Sequence, residues 1–323
     1  MKRIMYREAV ASAIAEEMRR DEKVFLMGED VATIGGVYKA TRGLLEEFGP
    51  QRVRNTPLSE IAIAGTATGA AMAGARPIAE IMHIDFTGCC MEIILNQMSK
   101  ICYKTNGKVH VPMVLRTQGG RGHSNGCTQS QSLESLFTHI PGLKVVMPST
   151  PYDAKGLLKS AIRDDDPVIF IEHKGLYQTK GEVPETEYLV SLGKADLKRV
   201  GGDVTIISYS KGVLTALEAA KELERDGIQA EVIDLRTLVP LDFETIAASV
   251  RKTGRVIVSH EACERNGYGA EIAAEIQERL FDELDAPIMR VCGANIPIPN
   301  APVPELESAP SAAKIIDAVK AIL

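Results

Sequence analysis

Apolar residues recur along this chain in two alternating patterns, at helical spacing and in short continuous runs. Residues 4–20 place apolar side chains at helical spacing and predict a first helix. Further helices are predicted over 60–74, 89–104, 130–139 and 151–163. Between them, short apolar runs predict strands buried on both faces: VFLMGED, RPIAEIM, VPMVLR, KVVMP and PVIFIEH. The alternation predicts a mostly parallel sheet covered by helices on both faces.

A polar, Gly-rich segment at residues 175–202 interrupts this alternation and predicts a linker. The pattern then restarts, with strands in VTIISYS, QAEVIDLRTLVP, RVIVSHEA and PIMRVCG and helices over 212–226, 242–252, 268–283 and 311–322. This second part has the size of a small domain. The predicted fold class is therefore α/β, with two doubly wound domains.

Composition excludes several classes of protein. The 323 residues are 45% hydrophobic and 25% charged, as in ordinary globular proteins and unlike disordered chains. The net charge of −6, without any Lys/Arg cluster, argues against a nucleic-acid partner. The longest uncharged run, 61–75, is shorter than the roughly 20 apolar residues of a membrane span, so we expect no membrane insertion.

The six cysteines lie at 89, 90, 102, 127, 263 and 292 and show neither C-x-x-C spacing nor a zinc-like Cys/His pattern. Scattered cysteines indicate a reducing compartment, and the acidic residues within the first 20 positions argue against a targeting segment. We therefore expect a cytoplasmic protein in which each cysteine is a small buried hydrophobe.

The sharpest local feature is Asn55-Thr-Pro-Leu-Ser-Glu60, followed by IAIAGTATGAAMAG. Thr56 and Pro57 predict a helix start, with Glu60 in the first turn. One interpretation is that Glu60 complements the helix dipole; the other is that it points into a crevice at the carboxyl side of the sheet. The small residues behind it would let another element or subunit pack closely.

Three consecutive acids, at 164–166, follow the helix predicted over 151–163. We interpret them as a solvated turn.

Long segments of the chain resemble the β subunit of the decarboxylating component of 2-oxo acid dehydrogenase complexes, the pyruvate and acetoin dehydrogenase group of the transketolase-like thiamine diphosphate family. The similar segments are GEDV (28–31), 55–82, 129–174, 192–213, VIDLRTLVPLD (232–242) and GAEIAAEI (269–276). The resemblance implies a pyrimidine-binding domain over 1–187 and a transketolase C-terminal-type domain over 195–323.

The resemblance also implies site residues. Glu60 falls on the family's cofactor glutamate, which hydrogen-bonds a ring nitrogen of the aminopyrimidine and helps to generate the carbon nucleophile of thiamine diphosphate. Met82 and Phe86 fall on positions that line the aminopyrimidine pocket, and Leu58 is expected to contribute backbone contacts.

One position departs from the family pattern. Where relatives usually carry a histidine, this chain has Gln129, which can donate a hydrogen bond but cannot carry a proton near neutral pH. We hypothesise that His123, six residues earlier in GGRGHSNG, takes over that role. The alternative is a substrate other than pyruvate, whose site needs only hydrogen bonds.

The chain has neither the Gly-Asp-Gly motif nor the paired Asn that hold the magnesium diphosphate in this family. The resemblance implies that an α subunit holds the magnesium, in a heterotetramer of two α and two β chains that serves a lipoyl acyltransferase core. It further suggests a potassium ion coordinated at Met113, Ala161, Ile162, Asp164 and Asp166.

His260 and Glu261 form a second candidate site, at the carboxyl end of the strand predicted in RVIVSHEA. We expect the C-terminal domain, with the carboxylate of Leu323, to serve assembly.

The implied function is the β subunit of a thiamine diphosphate-dependent dehydrogenase. It would decarboxylate pyruvate, or cleave acetoin as second choice, and reductively acylate a lipoyl group. The alternative is a non-catalytic assembly or docking subunit of the same fold, against which an intact Glu60 argues. A free-standing transketolase-type synthase is excluded because the domain that binds diphosphate and metal is absent.

Overall fold

A computed structural model describes residues 1–323, which divide into two units. Unit 1 comprises Met1–Gly119 and Leu136–Leu192, and unit 2 comprises Gly120–Ser135 and Gly193–Leu323. Each unit has its own sheet and its own apolar core. Both are α/β with mostly parallel strands, so the predicted fold class is confirmed. We describe each unit by itself.

Up to Leu192 the chain forms eight strands and six α-helices: β1 (Lys2–Met5), α1 (Tyr6–Arg20), β2 (Val24–Gly28), α2 (Leu44–Phe48), β3 (Val53–Asn55), α3 (Glu60–Met72), β4 (Arg76–Ile81), α4 (Ile101–Lys104), β5 (Val114–Gly119), α5 (Glu134–Thr138), β6 (Lys144–Val146), α6 (Pro151–Arg163), β7 (Val168–His173) and β8 (Lys180–Val183). Six strands pair in parallel in the order β6-β7-β5-β4-β2-β3. Their carboxyl ends therefore share one edge of the sheet.

Helix α6 shows how the local sequence sets an element of unit 1. Thr150 caps it by accepting a hydrogen bond from the Asp153 amide, and Pro151 occupies the first turn, where its missing N–H costs nothing. Its polar edge meets α1, where Glu16 lies 2.6 Å from the ammonium of Lys155 and 2.7 Å from that of Lys159. The apolar face of α6 is buried in the core of unit 1.

Unit 2 continues with β9 (Asp196–Arg199), β10 (Val204–Ser208), α7 (Gly212–Arg225), β11 (Ala230–Asp234), β12 (Thr237–Val239), α8 (Phe243–Thr253), β13 (Val256–Cys263), α9 (Tyr268–Leu280), β14 (Met289–Gly293), α10 (Pro302–Glu307) and α11 (Ala312–Lys320). Its sheet has the order β14-β13-β10-β11-β9, parallel except for β9. The chain leaves the central β10 in opposite directions towards β11 and β13, which makes the unit doubly wound.

Several sequence predictions are corrected here. The helix predicted from residue 4 begins at Tyr6, because Lys2–Met5 pairs antiparallel with Lys180–Val183. That pairing and β9 also place two strands inside the predicted linker, 175–202. The helix predicted over 89–104 is a 3₁₀ turn, a π segment and the short α4.

The structure contains no helix that is both long and apolar enough to cross a membrane. All six cysteines are free, but only Cys90 is fully buried, while Cys89 and Cys127 are exposed and the other three are half-buried. The expectation that every cysteine is a buried hydrophobe was therefore wrong for five of the six, which leaves their thiols within reach of solvent.

Candidate functional site

The carboxyl ends of β2, β3 and β4 bring the main predicted site residues of unit 1 to one edge of the sheet. Gly28 at the end of β2 is in register with both Asn55 of β3 and Glu80 of β4. The Thr56 amide then donates to the Gly28 carbonyl oxygen at 3.0 Å, which ties the segment leading into α3 to this edge. Crevices outside the carboxyl ends of parallel strands are the usual ligand sites of open α/β sheets.

Glu60 is the first residue of α3 and lies half-buried at that edge. The helix starts here rather than at Thr56 and Pro57 as predicted, with Ser59 as N-cap. Burial raises the pKa of Glu29, and the nearby Glu60 carboxylate raises it further. Burial and Glu60 likewise raise the pKa of Cys90 to about 12. Glu60 therefore lies near Glu29 and Cys90 at this edge of the sheet. That it points into a crevice there, as the second interpretation has it, stays a prediction, as does its role.

The apolar side chains that the resemblance assigns to the cofactor pocket lie on segments next to this edge. Met82 and Phe86, which follow β4, are half-buried, and Leu58 is 81% exposed. Thr56 carries a buried hydroxyl oxygen that has no hydrogen-bond partner. Half-exposed apolar side chains beside an orphaned polar atom form a surface that a bound heterocycle could cover.

His83, which no sequence motif marks, follows β4 at the same edge of the sheet. It is 5% exposed, lies 5.5 Å edge-on from the Phe86 ring, and has a buried Nδ1 atom without a hydrogen-bond partner. Burial, with a contribution from Lys174, lowers its pKa to about 4, so the imidazole is neutral at pH 7. Its place directly after an apolar strand, in EIMHIDF, was the available signal.

A buried ionic cluster lies beneath this edge and joins three strands. Arg116 of β5 donates to Glu80 of β4 at 2.6 Å and to Glu172 of β7 at 2.7 and 2.9 Å. Burial alone would lower the pKa of Arg116, but the two carboxylates raise it above its ordinary value. The Tyr177 hydroxyl also donates to Glu172, at 2.7 Å. With every member paired, the cluster fixes the strand ends that carry the crevice.

Gln129 and His123 lie in the segment Gly120–Ser135, which belongs to unit 2. His123 is exposed and Gln129 is half-buried. The buried Glu305 holds this segment, because its two carboxylate oxygens accept the Gly122 and Ser124 amides at 3.0 Å each. The contacts within unit 2 thus organise the loop that carries both residues, and those within unit 1 organise Glu60.

The predicted potassium ligands gather around the turn between α6 and β7. The Ile162 and Asp164 carbonyl oxygens accept hydrogen bonds from Arg76 at 3.1 and 3.0 Å, and Ala161 accepts from the Asp164 amide. The Met113 carbonyl oxygen accepts the Val168 amide at 3.0 Å. The acids at 164–166 are therefore not a merely solvated turn, because two cationic side chains engage them.

Lys144 is the second of those cations. Its ammonium lies 2.7 Å from Asp164 and 3.1 Å from Asp166. Burial alone would lower the pKa of Lys144, but its hydrogen bonds to these acids raise it above the ordinary value. The two cations, Arg76 and Lys144, thus offset part of the negative charge of the three acids at this turn.

The second predicted site, His260 and Glu261, lies where β13 ends in unit 2. His260 is fully buried, with Nε2 3.3 Å from the Cys292 sulfur, and burial lowers its pKa to about 4. Glu261 accepts the Arg121 amide at 3.3 Å beside a cavity of about 380 Å³. His260 is therefore a core residue, whereas Glu261 lines an open pocket.

Family models agree with this architecture. The model of the transketolase pyrimidine binding domain matches residues 2–180, and that of the transketolase C-terminal domain matches residues 193–315. A solved chain described as a split gene transketolase, inactive beta4 tetramer, is similar with a TM-score of 0.81 at 25% identity, over 99% of this chain and 98% of that one. The fold and the two family models together define a transketolase-like α/β protein.

Three relatives from Bacillus subtilis (strain 168) narrow this class. The chain is 50% identical to a 2-oxoisovalerate dehydrogenase subunit beta, covering 93% of this chain and 92% of that one. It is 47% identical to an acetoin:2,6-dichlorophenolindophenol oxidoreductase subunit beta (98% and 96%) and 48% identical to a pyruvate dehydrogenase E1 component subunit beta (90% and 90%). The chain belongs to this family of dehydrogenase β subunits, which confirms the predicted resemblance.

Proposed function

We propose that this chain is the β subunit of a thiamine diphosphate-dependent dehydrogenase that cleaves a small 2-oxo acid or acetoin and acylates a lipoyl group. The observation that supports the proposal is the position of Glu60, at the start of α3 and close to Glu29 and Cys90, by the carboxyl ends of β2, β3 and β4 in a chain that belongs to this family. The non-catalytic scaffold is the alternative, and the retained Glu60 together with the orphaned Thr56 hydroxyl argues against it.

The residues at this edge fit an aminopyrimidine ring. The Glu60 carboxylate would share a proton with a ring nitrogen. To do so, the carboxylate must be partly desolvated and within hydrogen-bond reach of that nitrogen. Met82 and Phe86 would cover the ring faces and exclude water, and the exposed Leu58 would contact it through its backbone. When bound, the cofactor supplies the carbon nucleophile and the electron sink, while the protein positions and polarises it.

The site would be completed by an α subunit that holds the diphosphate and its magnesium, in an assembly of two α and two β chains. The absence of Gly-Asp-Gly and paired Asn from this sequence supports that division. The similar split gene transketolase is described as inactive in its β4 form. The assembled enzyme would pass its acyl group to the lipoyl arm of an acyltransferase core.

The substrate is proposed as pyruvate first and acetoin second. Three relatives with different named substrates are 47–50% identical to this chain, so overall identity does not choose among them. One of the three is named as a 2-oxoisovalerate dehydrogenase, whose substrate is a branched-chain 2-oxo acid rather than pyruvate or acetoin. Gln129 limits the site to hydrogen bonding at that position, and His123 would supply the proton transfer.

Potassium binding stays part of the proposal, but we expect its affinity to be low. The Ile162 and Asp164 carbonyls each accept from Arg76, which leaves each oxygen one further lone pair for a cation. Because Arg76 and Lys144 already bring positive charge to this turn, we expect potassium to bind weakly here.

The proposed location of the protein is the cytoplasm. The six cysteines, all of them free thiols, support this proposal.

The test is calorimetric titration of thiamine diphosphate and magnesium into this chain, alone and mixed with its α partner. We expect binding only in the mixture, followed by turnover of pyruvate, acetoin or 2-oxoisovalerate. Glu60→Gln should abolish turnover, whereas Glu46→Gln, at an exposed position on α2, should not change it. An assembled complex that binds no cofactor would contradict the proposal and leave the scaffold.

A further inference from the structure

Three side chains of the kinds that bind metal ions meet at the edge of the unit 1 sheet opposite Glu60. Cys102 belongs to α4, His110 lies in the loop before β5, and Asp166 lies in the turn before β7. The Cys102 sulfur is 3.9 Å from the His110 Nδ1 atom, and the ligand atoms of all three lie within 4.8 Å of one another. This edge carries the amino ends of β5 and β7, so the cluster is separate from the proposed cofactor crevice.

The separation of the Cys102 sulfur and the His110 Nδ1 atom is close to that of two ligands in a tetrahedral zinc site. With Zn–S of about 2.3 Å and Zn–N of about 2.05 Å, a tetrahedral angle places sulfur and nitrogen about 3.6 Å apart. The observed 3.9 Å therefore needs a closure of only a few tenths of an ångström. His110 is exposed and the other two are half-buried, so solvent reaches the cluster and can supply a water as fourth ligand.

The loop that carries His110 is held by its own hydrogen bonds. The Gly107 amide donates to the Cys102 carbonyl at 2.8 Å, with Gly107 at φ +76°, which suits glycine. The Val109 amide donates to the Thr105 hydroxyl at 3.1 Å. These bonds return the chain towards Cys102, so the sulfur and the imidazole are positioned before any ion binds.

Asp166 is held independently and is available to an ion. Its amide donates to Asp164 at 2.9 Å, which fixes the turn. Its carboxylate lies 3.1 Å from Lys144, but that ammonium lies 2.7 Å from both oxygens of Asp164. Lys144 therefore keeps a carboxylate partner when Asp166 turns to a metal.

We propose that Cys102, His110 and Asp166 form a zinc site with a water as the fourth ligand. The Cys102 thiol loses its proton to solvent on binding, and the thiolate and carboxylate then balance the two charges of the ion. Sulfur, imidazole and carboxylate together suit a borderline-soft divalent ion such as Zn²⁺ better than Mg²⁺ or K⁺. The sequence gives no zinc-like spacing because Asp166 comes from a distant turn.

The proposal is tested by titrating the full chain, freed of metal by a chelator, with Co²⁺. We expect one equivalent to produce a thiolate-to-cobalt charge-transfer band, which Zn²⁺ then removes because it binds more tightly. Cys102→Ser should abolish the band, and His110→Gln and Asp166→Asn should weaken Co²⁺ binding at least tenfold. The exposed Cys89 and His139 supply matched controls, because Cys89→Ser and His139→Gln should leave the titration unchanged.

A second measurement needs no variant. Zn²⁺ should slow iodoacetamide labelling of Cys102 at least tenfold, mapped by mass spectrometry, without changing the labelling of the exposed Cys127. The proposal is overturned if the chain gives no charge-transfer band, if the band survives in Cys102→Ser or disappears in Cys89→Ser, or if Zn²⁺ leaves Cys102 labelling unchanged.

Discussion

At the scale of a single residue, the buried and neutral imidazole of His83 makes the stability of the chain depend on pH. The pKa of this side chain falls from 6.5 to about 4, first because it is buried and then because Lys174 is near. The unfolded chain therefore binds a proton between these two pH values, whereas the folded chain does not. Stability should fall as the pH drops through this window, because the unfolded state binds more protons there.

At about 1.36 kcal/mol for each pKa unit, this difference corresponds to up to about 3 kcal/mol, which solvent screening of the incompletely buried ring reduces. Between pH 7 and pH 4, the free energy of unfolding of the wild-type chain should therefore fall by up to about 3 kcal/mol more than that of His83→Gln. Urea denaturation at a series of pH values measures both, with His139→Gln as the exposed control. Equal losses in wild type and His83→Gln would contradict a buried neutral His83.

Gln129 raises a second question at this scale, namely which group moves protons in the assembled enzyme. If His123 takes over the role of the missing histidine, His123→Ala should lower turnover by 10²-fold or more, the usual contribution of a general acid or base. Steady-state decarboxylation and acyl transfer in the assembled enzyme measure this, with His139→Ala as control. Turnover within a few-fold of wild type would rule His123 out.

The sequence indicated a candidate site residue where a local motif marked it. It did not indicate residues whose importance depends on burial or on contacts that form only in the folded chain. Glu60 was singled out because NTPLSE precedes a long run of small residues, and its role stays a prediction. His83 was missed because its significance depends on burial and an unpaired Nδ1 atom, which no spacing encodes. The Cys102, His110 and Asp166 cluster was missed because its members come from three separate segments.

At the scale of elements, Glu305 of α10 fixes the loop that carries His123 and Gln129. It is 1% exposed and accepts the Gly122 and Ser124 amides. Hydrogen bonds to charged groups contribute roughly 1.5–3 kcal/mol. Glu305→Gln should therefore speed hydrogen exchange of those two amides about tenfold or more.

Mass spectrometry of peptides over 120–131 measures this exchange. Glu307→Gln, at an exposed position on the same helix, is the matched control and should leave the exchange unchanged. The same exchange rate in Glu305→Gln and wild type would show that other contacts hold the loop.

The apolar pattern predicted most long elements well, because buried parallel strands and amphipathic helices have clear periodicity. The helix predicted over 151–163 is α6 residue for residue. The strands β1, β8 and β9 were missed because they are short, largely exposed and polar, so their backbone pairing rather than their side chains defines them. The 3₁₀ and π segments over 84–98 were missed for a similar reason, since helical periodicity does not separate them from an α-helix.

At the scale of the whole molecule, the proposed function requires assembly, and α3 offers a surface for it. This helix exposes Ile61 (53%) and Met72 (42%), and a side chain built at Gly69 would meet nothing within 4 Å. An apolar helix face with a glycine at its centre lets another subunit approach closely. Because the proposed enzyme is a heterotetramer, we expect a neighbouring subunit to cover this face.

Gly69→Leu tests this expectation, with Gly69→Ala as the matched control. In the isolated chain both changes should leave stability equal or raise it by up to about 1 kcal/mol, because glycine inside a helix is unfavourable. On mixing with the α partner, Gly69→Leu should leave a smaller species in sedimentation and lower turnover in proportion, whereas Gly69→Ala assembles more nearly as wild type. A Gly69→Leu chain that assembles fully would place the subunit contact elsewhere, because a leucine at a closely packed position cannot be accommodated without separating the two surfaces.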